Sequence, residues 1–164
     1  MKRYVYIAFS TKASGYWVFA NKGSSICNLW DFLLDVRDDD DDTKQFINWI
    51  QNQPYELYGG GTGIVYTMQI NDHLYIGYHF NKLTDEQDLE LKDNPKYFFK
   101  TTRLHFIDLL QQWKAIYQQH PHGIAVKELE DGSWKVEALT VQDVTKCKAA
   151  VDPKTEELPS DFTL

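Results

Sequence analysis

The chain alternates short runs of strand period with longer runs of helix period, and polar breaks separate nearly every pair. Arg3 to Phe9 (R-Y-V-Y-I-A-F) is rich in β-branched and aromatic residues and predicts a strand that is apolar on both faces. Ser14-Gly15 punctuates, and Tyr16 to Ala20 (Y-W-V-F-A) predicts a second strand, so the two form a hairpin with a long turn. Asn21 to Ser25 is turn material. Ile26, Leu29, Trp30, Leu33 and Leu34 then recur at spacings of three and four, which predicts a helix over 26–36 with Ser24 or Ser25 as N-cap. Phe46, Ile47 and Ile50 predict a second helix over 44–51, capped by Asp42 or Thr43 and ended by Pro54.

Further along, Gly59-Gly60-Gly61 and Gly63 precede a strand, Ile64 to Ile70. Asn71-Asp72 supplies a two-residue turn, and His73 to Phe80 returns as the partner strand. Asn81 to Pro95 is polar and acidic and reads as an exposed loop, and Tyr97 to Lys100 as a short strand. Thr102 caps the most regular helix, 103–119, whose stripe is Phe106, Leu109, Leu110, Trp113, Ile116 and Tyr117. Pro121 and Gly123 stop it. Ile124 to Leu129 and Trp134 to Leu139 form a last hairpin through Glu130-Asp131-Gly132-Ser133. Beyond Thr140 the periodicity fades, and Asp152 to Leu164, with two prolines, reads as a mobile tail.

Hairpins dominate and no regular βα alternation occurs, so the fold class is α+β: a mainly antiparallel sheet built from hairpins, with about three helices packed on it. A single globular domain is expected over 1–140, with a partly mobile C-terminal extension over 141–164. The aromatic content, 5 Trp, 10 Tyr and 9 Phe, excludes disorder of the whole chain, because it is large enough to offset ordering entropy.

Charge changes the picture more than size does. A net charge of -7 repels nucleic acid and anionic membrane and steers a basic protein inward, although solubility alone also favours mild acidity. Asp35, Asp38, Asp39, Asp40, Asp41 and Asp42 stand against Arg37, a local balance of -5. Such a run cannot be buried, and an exposed loop between the first two helices is expected. It serves as a solvated loop and helix cap, or as an anionic docking patch for a Lys/Arg-rich partner. Calcium fits poorly, because the run lacks the glycine and terminal glutamate of a calcium loop.

Other constellations carry little. The glycine cluster has no G-K-[ST] and precedes a strand, where a phosphate cradle precedes a helix. His73, His79, His105, His120 and His122 fall in no ligand spacing, so no metal or cofactor is expected. Cys27 and Cys147 make no C-x-x-C and read as small apolar fillers. No G-x-S-x-G, H-E-x-x-H or cysteine-protease signature occurs; no catalytic residue is assigned and an enzyme is not expected. With no signal-peptide pattern before Tyr4 and no long apolar run, a cytoplasmic chain with no membrane partner is expected. Trp17, Trp30, Trp49, Trp113 and Trp134 are mostly core by spacing. Tyr66, Tyr75 and Tyr78 on the central hairpin suit either sheet packing or recognition.

One arrangement of segments is similar to a known group. It comprises the opening Y-V-Y-I-A-F strand, then Y-W-V-F-A, then L-W-D-F-L-L-D-V running into acidic residues. F-I-N-W-I, Y-G-G-G and T-T-R-L-H-F-I-D-L-L-Q-Q-W-K-A-I-Y follow before the final hairpin. This order, over Tyr4 to Val136, resembles small immunity proteins of bacterial contact-dependent growth inhibition and polymorphic toxin systems. The resemblance is one of segment pattern and carries over no single residue. It implies a cytoplasmic antidote that binds a cognate toxin domain, often a basic nuclease, and covers its active site or an adjacent surface. The contact candidates are then Asp38, Asp39, Asp40, Asp41 and Asp42, with Asp85, Glu86, Asp88 and Glu90, and Tyr66 or Tyr78 as aromatic anchor. A non-catalytic adaptor domain is the alternative reading, a small enzyme whose residues meet only in the fold is a third, and a monomer is favoured over an oligomer.

Overall fold

A computed structural model describes residues 2–10, 15–20, 25–36, 40–52 and 63–164. Arg37, Asp38, Asp39, Pro54 and the Gly59–Gly61 cluster lie outside them, as do the turn residues 21–24. Within the described residues the chain is α+β. It has two antiparallel sheets, of four and three strands, where one sheet is expected from the sequence. It also has five α-helices, where about three are expected. The residues group into two compact units, 1–24 with 112–164, and 25–111; each is described by itself.

The first unit holds β1 (Tyr4–Phe9), β2 (Tyr16–Ala20), β6 (Gly123–Glu128) and β7 (Trp134–Leu139), in the order β2-β1-β6-β7. Strand alternation splits β1 between two faces. Tyr4, Tyr6 and Ala8 join Phe19, Ala125 and Leu139 in one apolar cluster. Val5 and Ile7 point the other way and are equally buried. The turn between β6 and β7 is the D-G turn read from the sequence, with Gly132 at φ 82, a region where a Cβ would be strained.

The segment 141–164 carries structure that the fading periodicity hides. Val141–Ala150 is a helix, α5, opened by a capping box in which Thr140 Oγ1 accepts from the Asp143 N–H at 3.1 Å. Cys147 and Leu158 are buried in the same cluster as Tyr6, with Val144, Val151 and Phe162 packed against it. The extension therefore supplies half of one core face.

Gly123 pairs with Ala8 across the sheet, and a Cβ there would stand 2.6 Å from the Ile7 carbonyl oxygen, a backbone atom that cannot swing aside. Gly123→Ala is expected to cost about 1–3 kcal/mol in a urea melt. Gly15→Ala, where nothing among the described residues lies within 4 Å of the added methyl, is the control and is expected to be near neutral. Equal effects at both positions would show that backbone entropy, not the clash, governs Gly123.

The second unit holds α1 (Ile26–Asp35), α2 (Asp40–Asn52), β3 (Val65–Ile70), β4 (His73–Tyr78), α3 (Asp85–Leu91) and β5 (Phe98–Thr102). It also takes in the first part of α4 (Arg103–Tyr117), whose remainder belongs to the first unit. The hairpin β3–β4 turns on Asn71, which takes a left-handed φ of 53. One face of the three-stranded sheet carries Tyr66, Met68, Tyr75 and Phe98, beneath Leu83 and Leu91. The opposite face packs on α1.

Thr102 Oγ1 caps α4 by accepting from the His105 N–H at 3.2 Å, as its position predicts. Ser25 occupies the cap of α1 but its side chain makes no capping bond. α2 begins at Asp40, four residues before its expected start, so Asp40, Asp41 and Asp42 form its first turn, not an interhelical loop. The carboxylates of Asp41 and Asp42 there meet the positive end of the helix dipole, which favours the earlier start. α3, expected as loop, starts with a second capping box: the Gln87 N–H donates to Thr84 Oγ1 and the Thr84 N–H to Gln87 Oε1.

Candidate partner-binding surface

The end of β4 is where apolar surface, fixed aromatics and carboxylates meet. After Tyr78 the chain makes a single 3-10 turn, His79–Asn81, closed by Lys82 in the left-handed region. That turn throws Phe80 outward, leaving it 67% exposed. Its ring is not loose. It stacks on Tyr78 at 4.5 Å between centroids and 20° between planes. Ile64, also exposed, is tied beside it, since its carbonyl accepts the His79 N–H at 3.0 Å.

Tyr78 is itself pinned from below. It lies on the α1 face of the sheet, and its hydroxyl donates to Asp31 Oδ2 at 2.6 Å. The phenol is held far above its usual value, first by burial and then by this bond. Burial also raises the Asp31 carboxyl; the Tyr78 bond opposes that, and Asp35 on the next turn of α1 adds to it.

The opposite face supplies a matching pair. Tyr66 donates to Asp88 Oδ1 at 2.5 Å, and burial followed by this bond lifts its phenol well above the ordinary range. Tyr66 also contacts the His79 ring at 5.2 Å, so both phenol–carboxylate pairs brace the same turn. Asp85 and Glu86 stand exposed in the first turn of α3, and Glu90 is exposed further along. Phe80 thus stands on Tyr78, the tyrosine bonded to Asp31 of α1, with Lys82 as the cation carried on its own turn.

The sequence candidates separate on this geometry. Tyr66 and Tyr78 are brought together around one turn, but their hydroxyls are used internally. Asp88 is 2% exposed and is the acceptor for Tyr66, so it braces the surface from inside. Asp41 and Asp42 are exposed in the first turn of α2. Asp38 and Asp39 fall outside the described residues. Phe80 and Asp31 escaped the sequence reading. The only signal for Phe80 was its place as the last apolar residue before the polar Asn81.

Several cations are held in ion pairs. Arg3 pairs with Glu128 at 2.8 Å, and Lys135 with Glu137 at 2.7 Å. Lys100 and Lys92 both bond Asp93, and both lie over the Tyr75 ring at 5.6 Å. These lysines hold the Asp93 carboxyl down to about 2. A native value below the unfolded one, about 3.9, means the contribution is complete above about pH 4 and is lost as pH falls towards about 2. Asp93→Asn is therefore expected to be less stable than the parent at pH 6 and to converge with it near pH 2. Parallel stability curves across that range would refute the pairing.

Among the described residues no group of three or more His, Cys, Asp or Glu is placed to hold a metal ion. No helix among them is long and apolar enough to cross a membrane. Cys27 is half-buried and Cys147 buried, both as free thiols, and burial pushes the Cys147 thiol up to about 11. The arrangement at Phe80 offers an exposed ring held by stacking on a fixed tyrosine, a geometry suited to contact with a protein. Comparison with protein-family models, with curated protein sequences and with solved structures finds no match in any of the three.

Proposed function

We propose that this chain is an immunity protein, an inhibitory binding module that neutralises a cognate, basic toxin domain by covering its active site or an adjacent surface. The observation that carries the reading is Phe80, exposed yet stacked on a tyrosine whose hydroxyl is fixed by Asp31. An aromatic already held in place loses little freedom on binding, so most of its burial appears as affinity. The exposed acids of α1 and α3, Asp35, Asp85 and Glu86, supply long-range attraction for a Lys/Arg-rich surface and raise the encounter rate. A nuclease fits as the toxin, because a domain that holds phosphates must itself be basic. Inhibition requires no chemistry from this chain.

The test is co-expression with the C-terminal domain of the protein encoded immediately upstream. Growth arrest by that domain alone, relieved when this chain is present, is the expected result. An upstream domain that is harmless, or toxicity that persists, would end the reading. Binding without relief would favour an adaptor.

A further inference from the structure

The chain covers several of its aromatic rings with its own cations. Arg3 lies over Trp134 at 5.1 Å from the centroid, Lys127 over Tyr6 at 5.6 Å and Lys96 over Tyr97 at 5.4 Å. Even the exposed Trp17 carries Lys148 at 3.9 Å. Phe80 is more exposed than Trp17, 67% against 46%. Yet among the described residues no cation is placed over it, and that includes Lys82 on its own turn.

One face of Phe80 lies on Tyr78, with centroids 4.5 Å apart and planes 20° from parallel. Its exposed area is therefore the other face and the rim. A ring face is the negative side of the aromatic quadrupole, so it attracts a cation and repels an anion. The stack beneath adds to that sign. Tyr78 donates its hydroxyl to Asp31 Oδ2 at 2.6 Å, and a phenol polarised by a carboxylate has a more electron-rich ring. Carboxylate, tyrosine and phenylalanine form one column, and the open face of Phe80 is its outer end.

We infer that the open face of Phe80 seats an arginine of the toxin domain, whose guanidinium stacks flat on the ring as the next layer of the column. The inference rests on the toxin-binding reading and adds the group that the partner brings. Charge complementarity carries the choice. A chain of net charge -7 favours a basic partner, and the column turns its electron-rich end outward. Arginine suits the seat better than lysine, because its guanidinium is planar and weakly hydrated. Covering an aromatic face then costs it little solvation, and its N–H edge stays available to carboxylates. An apolar side chain would use the area of Phe80 but not the charge behind it.

Replacing Phe80 in the full chain by mono-, di- and trifluorinated phenylalanine tests it. Each fluorine withdraws electron density from the ring face, keeps its size nearly constant and makes it slightly more apolar. The probe is the C-terminal domain of the protein encoded immediately upstream, titrated by calorimetry. Affinity is expected to fall stepwise along the series, to about 10-fold weaker with the trifluorinated ring. Phe80→Leu, which is apolar without a π face, is expected to fall at least as far. The ring lies largely in water, so these chains should melt with the parent. Equal or tighter binding along the fluorine series means an apolar seat and overturns the inference. So does Phe80→Leu with the parent's affinity. Relief of toxicity by the unmodified chain keeps the two failures apart. Relief with a flat fluorine series removes the arginine alone, whereas no relief removes the toxin-binding reading and the arginine with it.

Discussion

Replacing Phe80 with alanine is expected to weaken the complex with the toxin domain at least about 30-fold, a loss of about 2 kcal/mol or more. The free protein should barely notice, because the ring is largely in water and its removal opens no cavity. Affinity and stability thus part company at this position. Tyr78→Phe should act in between: it keeps the ring under Phe80 but loses the bond to Asp31, so the anchor is present but less firmly held. Asp85→Asn with Glu86→Gln should slow association and flatten its salt dependence while changing dissociation little, as rim charges do. Titration calorimetry and stopped-flow mixing separate these effects. Unchanged affinity in Phe80→Ala would remove this surface from the interface even if co-expression still relieved toxicity.

Hairpins were the most legible part of the sequence, because strand alternation and a turn signal coincide at Asn71-Asp72 and at Asp131-Gly132. The pairing of one hairpin with another was not. Alternation says which residues share a face; it does not say that β1 pairs with β6, more than a hundred residues away, or that β3 to β5 form a sheet of their own. Helices α3 and α5 were hidden because their apolar stripes are thin. What starts each is the polar box at its first turn, Thr84 with Gln87 and Thr140 with Asp143, a signal that was present but outweighed by the missing stripe.

The site was legible only in its chemistry. An acidic surface with aromatics could be read from composition and charge, whereas the partition of roles could not. In the sequence Tyr66, Tyr78 and Asp88 look alike as candidates for an outer surface, and Asp31 goes unmarked. Only the fold reveals that both phenols turn inward onto carboxylates while the neighbouring Phe80 is left outside.

Asn28 makes the same point in the core, and carries the largest expected loss of stability. The α1 stripe read from the sequence omits it, yet it is 3% exposed. Its Nδ2 donates to the Ile76 carbonyl at 2.8 Å and to the Tyr97 carbonyl at 3.2 Å, and its Oδ1 accepts from Cys27 Sγ at 3.2 Å. One amide therefore fastens α1 to β4 and to the entry of β5. Asn28→Ala leaves both carbonyls without that donor, an expected cost of about 2–4 kcal/mol in a urea melt. Asn28→Asp sharpens the test through its pH dependence. The ionised side chain would face two carbonyl oxygens with no proton to give, so the acid form is favoured and its native pKa lies above the unfolded value of about 3.9. The deficit of Asn28→Asp is then smallest below about pH 4 and grows as pH rises through the native value, while that of Asn28→Ala stays level. If the two variants run parallel from pH 4 to pH 8, donation by the Asn28 amide is not what holds α1 to the sheet.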